Sequence, residues 1–363
     1  MSSGAPALVG RTIFEYLLKR RNDLPFDNIF VFTSHNHKEY LEYLYDDVVV
    51  LTASNILNTP RGIVHIPMSP LLFPNTKFIL HILSILLRNV LVFNYHGDIR
   101  TEVILNFKKE YKISFSYLPT YLFLPILLRS SNQLIVHSYL FKNLVENKYG
   151  VKNTTVIPNA VDSFWYSDEY DDVFVKSQGI DIFYHGRLSP EKGVDILIEG
   201  FHKYLTGNSR DATLYIAGDG PQREFLLEMV KSLKVTSNVV FLGNLDKSKV
   251  KGYLKKVDVA IYPSIWDNFP LSYIEAFASA NCPVFFSKKA GIYDFVVAEN
   301  KNMFSFDPSI ESICQIIEDA SSNLYVDSNV IDEQKSFANK YNWDYVIDYY
   351  IKVYSKLVMG LKR

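Results

Sequence analysis

The sequence predicts an α/β protein built from two parallel-sheet domains. The chain has 363 residues, more than one hydrophobic core usually supports, and its 48% content of hydrophobic residues can fill two cores. Short apolar runs rich in β-branched residues alternate with longer stretches of helical period, as in βα units around parallel sheets. An acidic segment of little periodicity, residues 163–179, lies between the two halves and is typical of a solvated linker.

Both halves contain strand candidates followed by helical periodicity. The predicted strands of the first half are residues 29–33, 48–51, 63–66, 90–95, 134–137 and 155–157. Those of the second half are residues 180–184, 213–217, 239–242, 257–262 and 283–287. One predicted helix of the second half has an apolar stripe formed by Val194, Leu197, Ile198, Phe201 and Leu205. A second stripe predicts a helix near the C-terminus, with Val346, Tyr349, Val353, Tyr354 and Leu357 on one face.

Composition excludes several classes of protein. Charged residues make up 21% of the chain and the net charge is −1, which argues against a disordered protein and against one that coats nucleic acid. The first 165 residues are mildly basic, with 16 Lys and Arg against 12 Asp and Glu. The two cysteines, Cys282 and Cys314, have no metal-ligand spacing around them, so we expect neither a disulfide framework nor a metal site.

The sequence predicts a cytoplasmic protein. The first residues show no basic stretch followed by an apolar run, so we do not predict a signal peptide. The most apolar stretch, residues 78–93, is interrupted by His81, Ser84 and Arg88 and is shorter than the roughly 20 apolar residues that span a bilayer. We therefore expect no membrane-spanning helix.

The strongest local motif, residues 184–193, lies where a predicted buried strand ends and a helix begins. Ligands of open α/β sheets bind at the carboxyl ends of strands, where helix N-termini present free N–H groups to anions. Gly186 allows a tight turn, Arg187 offers a planar guanidinium to phosphate oxygens, and Lys192 adds a mobile charge. The motif predicts a diphosphate clamp, and the structural alternative is a solvated basic loop before a helix.

A second turn follows another predicted strand of the same sheet. Gly218 and Asp219 belong to a Gly-Asp-Gly-Pro sequence, in which Gly218 permits a close approach of the backbone to a ligand. Glycine and aspartate are also ordinary turn formers, so a purely structural role is the alternative.

The third motif, residues 262–277, carries two acids, Asp267 in a loop and Glu275 about two turns into a helix. A carboxylate at Glu275 suits the paired hydroxyls of a ribose, while Asp267 would face sugar hydroxyls and the N–H groups around residues 269–271 would face a diphosphate. A capping aspartate and a surface glutamate are the structural alternatives. Because the residues that flank Glu275 are apolar, we expect this glutamate to have a polar partner.

These three segments, in this order and spacing, resemble the retaining GT-B glycosyltransferases of family 4, the glycosyl transferases group 1. The resemblance covers roughly the second half of the chain. It implies that Arg187 and Lys192 bind the diphosphate of a nucleotide-sugar donor and that Glu275 binds the ribose. It further implies a donor-sugar and diphosphate site formed by Gly186, Gly218, Asp267, Asn268, Phe269, Pro270 and Leu271.

One residue departs from the pattern of the family. The family usually has glutamate where Asp267 stands, and this difference leaves the identity of the sugar open. The resemblance makes Arg187, Lys192 and Asp267 catalytic as well as donor-binding residues.

The first half matches the family more loosely. Residues 156–162 are similar to the interdomain element of the family, with Ala160 in place of its glycine. Residues 94–98 resemble the segment whose histidine contacts the donor sugar, so His96 is the fourth expected catalytic residue, although a lone histidine is commonly structural. Gly4 resembles the glycine-rich loop before the first helix of the family, and we expect it to touch the donor.

In the family a buried strand precedes that glycine-rich loop and lies in the middle of the first sheet. Only residues 1–3 precede Gly4 here. This difference predicts a gene start placed too late or a truncated chain, with an apolar strand encoded upstream and a weakened acceptor domain without it.

The resemblance implies a GT-B fold, with two Rossmann-like domains facing across a cleft. We expect an N-terminal acceptor domain over residues 1–165, completed by a C-terminal helix over 342–363, and a donor domain over 176–341. The implied reaction transfers a sugar from a nucleotide diphosphate sugar with retention of configuration, without a metal and without a cofactor. No Asp-x-Asp triplet that would hold Mg²⁺ is present in the sequence.

Two other functions remain open from the sequence. A nucleotide-sugar epimerase or hydrolase of the same fold would share the clamp but need no acceptor. A catalytically inert subunit would bind the donor and support a partner transferase.

The acceptor is expected to be a glycan or a lipid-linked molecule, with no nucleic acid as partner. Lys19, Arg20 and Arg21 end a predicted helix, and the apolar segments 78–87 and 117–128 lie in the same basic half of the chain. Such helices with basic rims bind anionic interfaces, which predicts peripheral contact with a membrane. The alternative is that both segments are core helices.

Overall fold

The structure is a computed structural model that describes residues 5–26, 28–32, 49–51, 61–67, 76–108, 118–207, 211–322 and 329–361. The chain forms two compact units. The first comprises Met1–Val103, Ile113–Pro158 and Asp344–Arg363, and the second comprises Ile104–Lys112 and Asn159–Trp343. Each unit contains a parallel sheet, so the predicted α/β class with two parallel-sheet domains is confirmed.

The first unit contains a four-stranded parallel sheet and a separate pair of parallel strands. The larger sheet has the order β3 (Ile63–Ile66), β4 (Val90–Tyr95), β5 (Gln133–Val136) and β6 (Thr154–Val156). The pair consists of β1 (Phe30–Phe32) and β2 (Val49–Leu51). Strand β5 is buried along its whole length, as is β4 after its first residue, so the core of this unit lies against the middle of the larger sheet.

Helices connect these strands in the usual βα manner. The described helices of the first half are α1 (Ala5–Lys19), α2 (Thr76–Leu86), α3 (Ile99–Lys108), α4 (Leu118–Arg129) and α5 (Tyr139–Tyr149). The hydroxyl of Ser138 accepts a hydrogen bond from the Phe141 N–H at the start of α5, and Gly150, with φ of 67°, ends that helix in the left-handed region.

The second unit is a six-stranded parallel sheet with the order β12-β11-β10-β7-β8-β9. Its strands are β7 (Ile180–His185), β8 (Ala212–Ala217), β9 (Val239–Gly243), β10 (Val259–Tyr262), β11 (Val284–Ser287) and β12 (Ser305–Phe306). Its helices are α6 (Val194–Gly207), α7 (Arg223–Ser232), α8 (Lys247–Lys256), α9 (Leu271–Ser279), α10 (Lys301–Phe304), α11 (Ile310–Ser321) and α12 (Val330–Ala338). The chain begins in mid-sheet at β7, builds outward to β9, and then returns to the other side of β7 through β10.

The hydrophobic pattern predicted most of these elements. Each of the eleven predicted strands is present within one or two residues of its predicted ends, and the two-residue strand β12 was not predicted. In α6 the side chains of Val194, Leu197, Ile198 and Phe201 are fully buried, as their one-face spacing indicated.

The expectation of a solvated linker over residues 163–179 is right for the exposed stretch 168–173 but wrong for two aromatic residues on either side of it. Trp165 and Phe174 are each only 5% exposed and belong to the core of the second unit. The ammonium of Lys251, a residue that is fully buried, donates a hydrogen bond of 2.6 Å to the Phe164 carbonyl and a further one to the Ser167 carbonyl. The buried side chains of Trp165 and Phe174 and the ammonium of Lys251 therefore hold this segment against the second unit. The acidic composition of the segment did not indicate these contacts.

The last helix, α13 (Trp343–Leu361), packs within the first unit from Asp344 onward. The amide of Asn94, at the end of β4, donates to the Tyr350 hydroxyl at 3.0 Å, and its Oδ1 lies 2.9 Å from His65 Nε2. The Tyr354 hydroxyl lies 2.6 Å from His65 Nδ1. Tyr349, predicted on the buried face, is 49% exposed, and its neighbour Tyr350 is buried in its place.

We predict that Tyr350→Phe destabilises the first unit, because the buried amide of Asn94 loses the hydroxyl that accepts its hydrogen bond. An unsatisfied buried donor costs about 1–3 kcal/mol. Urea unfolding followed by circular dichroism measures the change. The matched control is Tyr345→Phe, because Tyr345 is 65% exposed on the same helix. Equal midpoints for both variants and the wild type would show that the bond to Asn94 contributes nothing.

Candidate functional site

The reversal of strand order between β7 and β10 defines a candidate site in the second unit. These two strands are parallel neighbours, yet the chain continues from β7 toward one edge of the sheet and from β10 toward the other. Ligands of open α/β sheets bind at such a switch point, outside the carboxyl ends of the strands. The first and third sequence motifs follow β7 and β10 directly, so both lie at this place.

Backbone contacts hold the loops after β7 and β8 together. The Gly186 N–H donates to the Ala217 carbonyl at 3.0 Å, and the Leu188 N–H donates to the Asp219 carbonyl at 3.0 Å. Gly218 has φ of 137°, and a Cβ on this residue would lie 1.9 Å from the Gly186 carbonyl oxygen. Only glycine fits there. Gly218 therefore sets the spacing of the two loops.

The loop after β7 also touches the loop after β10. The Glu191 carbonyl accepts a hydrogen bond of 2.9 Å from the Ile265 N–H. Gly193 has φ of 66°, and a Cβ on it would lie 2.3 Å from the Pro263 carbonyl oxygen. These contacts fix Lys192, between Glu191 and Gly193, beside the third motif.

The two charged residues of the first motif have different surroundings. Arg187 is exposed, and within the residues that the structure describes no hydrogen bond or ion pair engages its guanidinium. The ammonium of Lys192 instead pairs with the carboxylate of Asp267, whose side chain is 14% exposed. Burial raises the pKa of Asp267, and the charge of Lys192 opposes that shift. Of the two cations of the clamp, Lys192 is therefore already in an ion pair, and Arg187 is not in one among the described residues.

Glu275 has the polar partner that its apolar neighbours required. Its Oε2 lies 3.0 Å from His185 Nε2, and His185 Nδ1 lies 2.6 Å from the Tyr262 hydroxyl. Burial raises the pKa of Tyr262 well above its ordinary value, so this residue carries its proton. A His185 tautomer that accepts from the Tyr262 hydroxyl at Nδ1 and donates to Glu275 from Nε2 satisfies both contacts. The chain of three groups fixes the Glu275 carboxylate at the switch point.

Helix α9 begins at Leu271 beside these groups. Its N-cap residue is Pro270, which makes no side-chain cap, so the first N–H groups of the helix have no capping side chain. Asn268 and Phe269 are each 2% exposed, and the amide of Asn159 donates to the Phe269 carbonyl at 2.7 Å. Asn159, which lies in the segment similar to the interdomain element of the family, therefore holds the turn before α9 in place.

His96 belongs to the first unit, directly after β4. Its Nε2 lies 3.2 Å from the Pro67 carbonyl, which accepts a hydrogen bond from the ring. Its ring centroid lies 4.5 Å from that of His137, which follows β5. Burial and the neighbouring His137 lower the pKa of His96 well below its ordinary value. His96 is therefore neutral at physiological pH.

The structure brings together most of the predicted site residues in the second unit. Gly186, Arg187, Lys192, Gly218, Glu275 and the 267–271 turn lie around the ends of β7, β8 and β10. Gly4 lies outside the described residues. His185 and Tyr262 were not predicted as site residues, because the predicted strand ended at residue 184 and tyrosine at a strand end is common in a core. The prediction that Glu275 needs a polar partner could have led to His185, a polar residue at the end of a neighbouring strand.

No group of three or more His, Cys, Asp or Glu residues within the described ranges is arranged to hold a metal ion.

His137 was not predicted as a site residue. It donates from Nδ1 to the Ile157 carbonyl at 2.8 Å, and its buried Nε2 has no hydrogen-bond partner among the described residues.

Comparisons with known proteins agree with the geometry. Residues 168–336 match the model of the family called glycosyl transferases group 1. An uncharacterised glycosyltransferase of Methanocaldococcus jannaschii is 30% identical over 184 residues, which are 50% of this chain and 45% of that protein. A glycogen synthase of Mycobacterium tuberculosis is 29% identical over 173 residues, 47% of this chain and 41% of that protein. The chain thus spans less than half the length of these curated relatives.

Solved structures share the fold of the whole chain. Anabaena HepE in complex with UDP-glucose has a TM-score of 0.69 at 17% identity, covering 99% of this chain and 97% of that one. A sucrose-phosphate synthase of Thermosynechococcus elongatus has a TM-score of 0.62 at 17% identity, covering 82% of this chain and 74% of that one. The fold expected from the sequence, that of the GT-B glycosyltransferases, is confirmed.

We predict that His137 makes stability fall in acid. Burial lowers the pKa of His137 to about 4, against about 6.5 in an unfolded chain. Its contribution to stability is complete above the unfolded value and is lost as pH falls toward the folded one. At 1.36 kcal/mol per pH unit, the full interval amounts to about 3 kcal/mol.

The measurement is the free energy of unfolding in urea at pH 7 and pH 4 for the wild type and for His137→Gln. The variant should lose less stability between these values. Identical losses would show that His137 does not titrate in this way.

Proposed function

We propose that the chain, whose residues 168–336 match the model of the glycosyl transferases group 1 family, transfers a sugar from a nucleotide diphosphate sugar to a hydroxyl of an acceptor. The observation that carries the proposal is the grouping of Arg187, Lys192 and Glu275 around one switch point. A nucleotide sugar presents a ribose, a diphosphate and a sugar, and these residues supply a group suited to each of the first two. Asp267 is the group proposed for the third.

The ribose is the part best matched by Glu275. One carboxylate oxygen of Glu275 is engaged by His185, and no hydrogen bond engages the other among the described residues. A carboxylate oxygen accepts hydrogen bonds from hydroxyls, and a ribose offers two adjacent ones. His185 and Tyr262 would hold this carboxylate in place, so that the ribose meets a preorganised acceptor rather than a mobile side chain.

The diphosphate is the part that needs cations. Transfer breaks the bond between sugar C1 and a phosphate oxygen, forms a bond between C1 and the acceptor oxygen, and releases the proton of the acceptor hydroxyl. Negative charge therefore accumulates on the departing diphosphate. Arg187, Lys192 and the uncapped N–H groups of α9 are the groups proposed to stabilise that charge, without a metal ion or a cofactor.

The Lys192–Asp267 pair links leaving group and sugar. When the donor sugar offers hydroxyls to Asp267, part of the pull of this carboxylate on Lys192 would be replaced by hydrogen bonds. Lys192 would then turn its charge toward the phosphate. The proposal includes retention of anomeric configuration, which nuclear magnetic resonance of the product tests directly.

The acceptor is proposed to be a glycan or a lipid-linked molecule. Similar proteins include one named glycogen synthase and one named a phosphatidylinositol N-acetylglucosaminyltransferase subunit, from Saccharomyces cerevisiae, which is 27% identical over 210 residues, 56% of this chain and 45% of that protein. An epimerase, a hydrolase or an inert donor-binding subunit are the competing functions. Product analysis with and without a mixture of acceptors separates them, because only a transferase needs an acceptor.

We predict that Lys192→Ala weakens donor binding and slows turnover, because the charge is used both before and during bond cleavage. The assay first screens UDP-, GDP- and ADP-sugars by thermal shift, in which a ligand at 100 times its Kd stabilises by about 2.7 kcal/mol. Titration calorimetry and transfer assays in EDTA follow with the best donor.

The matched control is Lys203→Ala, since Lys203 is 48% exposed and pairs with Glu311 on the surface of the same unit. The control should bind and turn over as the wild type does. Unchanged binding and turnover in Lys192→Ala would remove Lys192 from the site, and activity that EDTA abolishes and Mg²⁺ restores would exclude the metal-independent reaction.

A second variant tests the first-unit part of the proposal. If His96 contacts the sugar as it gains positive charge, His96→Ala should lower kcat by about 100-fold while donor affinity changes little. His81→Ala is the control, because His81 is also a buried histidine of the first unit. A variant at His96 that only lowers the melting temperature, with kcat intact, would make His96 a structural histidine.

A further inference from the structure

Helix α2 exposes several apolar residues and buries two polar ones. His81 and Ser84 are 2% and 1% exposed, whereas Ile85 and Leu86 are 44% and 71% exposed. The His81 ring packs on Phe93 of β4 with its centroid 4.9 Å away. A surface helix of a globular protein has the opposite arrangement, with polar residues outward.

Helix α4 is apolar on both faces. Leu124 and Leu128 are fully buried, whereas Leu122, Phe123 and Ile126 are 58%, 48% and 63% exposed. In the second unit, α6 follows the ordinary rule, because Leu197 is fully buried while other positions carry exposed charge. Helices α2 and α4 therefore differ from α6 in exposing large apolar side chains.

The exposed residues of α2 and α4 form one continuous surface. His81 Nε2 lies 2.7 Å from the Ser130 hydroxyl, directly after α4, and this contact ties the two helices together. A groove of about 350 Å³ lies above the contact, and apolar side chains of both helices line it. We define the apolar face as Ile82, Ile85, Leu86, Leu122, Phe123 and Ile126. Large apolar patches on a protein surface mark sites that contact a membrane, another protein or a ligand.

The two segments that carry the apolar face have charged residues of one sign. Residues 76–89 and 118–132 contain Lys77, Arg88 and Arg129 and no Asp or Glu. Arg88 is exposed at the end of α2, and its carbonyl accepts a hydrogen bond of 3.0 Å from the guanidinium of Arg61, which is also exposed. An apolar face with a cationic rim fits the interfacial region of an anionic bilayer, which offers hydrocarbon and negative headgroups together.

We propose that the apolar face of α2 and α4 seats the protein on the surface of an anionic phospholipid bilayer. The contact is interfacial, since no helix in the described ranges is long and apolar enough to cross a membrane. The proposal uses no residue of the candidate donor site. It goes beyond the proposed transfer reaction by stating where the protein meets its acceptor, and a chain without transferase activity would still bind vesicles.

The test is flotation of the full chain with vesicles of phosphatidylcholine containing phosphatidylglycerol, and with phosphatidylcholine alone, at low and high salt. We expect binding to the anionic vesicles that weakens as salt screens the arginines. The triple variant L86Q/L122Q/I126Q should lower the partition coefficient by about tenfold or more, because three apolar side chains no longer insert. The variant R61Q/R88Q should lose most of the salt dependence.

The matched control is V175Q/V297Q, because Val175 and Val297 are 86% and 51% exposed in the second unit. This variant should float as the wild type does. Melting temperature and donor-induced thermal shift report that each variant is folded, independently of vesicle binding.

Two results would overturn the proposal. One is a failure of the flotation test, in which the wild type does not float with the anionic vesicles at low salt or the triple variant floats as well as the wild type. The other is a wild type that is dimeric by light scattering and ignores vesicles, with a monomeric triple variant, which would make the apolar face an interface between two copies.

Discussion

The reversal of strand order between β7 and β10 is the constraint on which the second unit depends. Because successive connections leave these strands toward opposite edges, their carboxyl ends open a crevice that no crossover covers. Lys192 and Asp267 are 75 residues apart in the chain and His185 and Glu275 are 90 apart, yet each pair meets there. The topology of the sheet, rather than any local motif, brings the charged groups of the candidate site together.

Each carboxylate of the site has a dedicated partner because an isolated one would be costly. Removing an ion from water costs several kcal/mol unless another group compensates. Lys192 compensates Asp267, and His185 compensates Glu275 with a ring that Tyr262 holds in turn. The two partners differ in kind, since the first is a lysine ammonium and the second an imidazole that a tyrosine holds. Among the described residues of the site, Arg187 is the cation whose guanidinium has no such partner.

Local patterns predicted the strands of the fold and the positions of the motifs, because hydrophobic period and turn chemistry act over a few residues. They did not predict which residues would pair across the site. His185 was not assigned because its role depends on Tyr262 and Glu275, which other elements supply. In segment 163–179 the acidic residues are exposed as expected, but the burial of Trp165 and Phe174 was not predicted, because it depends on contacts with other elements of the second unit. On α13 a one-residue error exchanged Tyr349 for Tyr350, since both fit an apolar stripe.

Helix α2 shows most clearly why hydrophobic periodicity alone does not predict which face of a helix is buried. Its sequence offers one face with His81 and Ser84 and another with Ile82 and Leu86, and periodicity alone would place the second face inside. Two partners reverse that choice. The Ser130 hydroxyl donates to the Leu127 carbonyl and accepts a hydrogen bond from His81 Nε2, and Phe93 packs against the His81 ring. A buried polar pair is stable only when both groups are satisfied. Satisfying His81 inside the unit therefore leaves Ile82, Ile85 and Leu86 on the outer face of the helix, where they form part of the apolar face proposed to meet a bilayer.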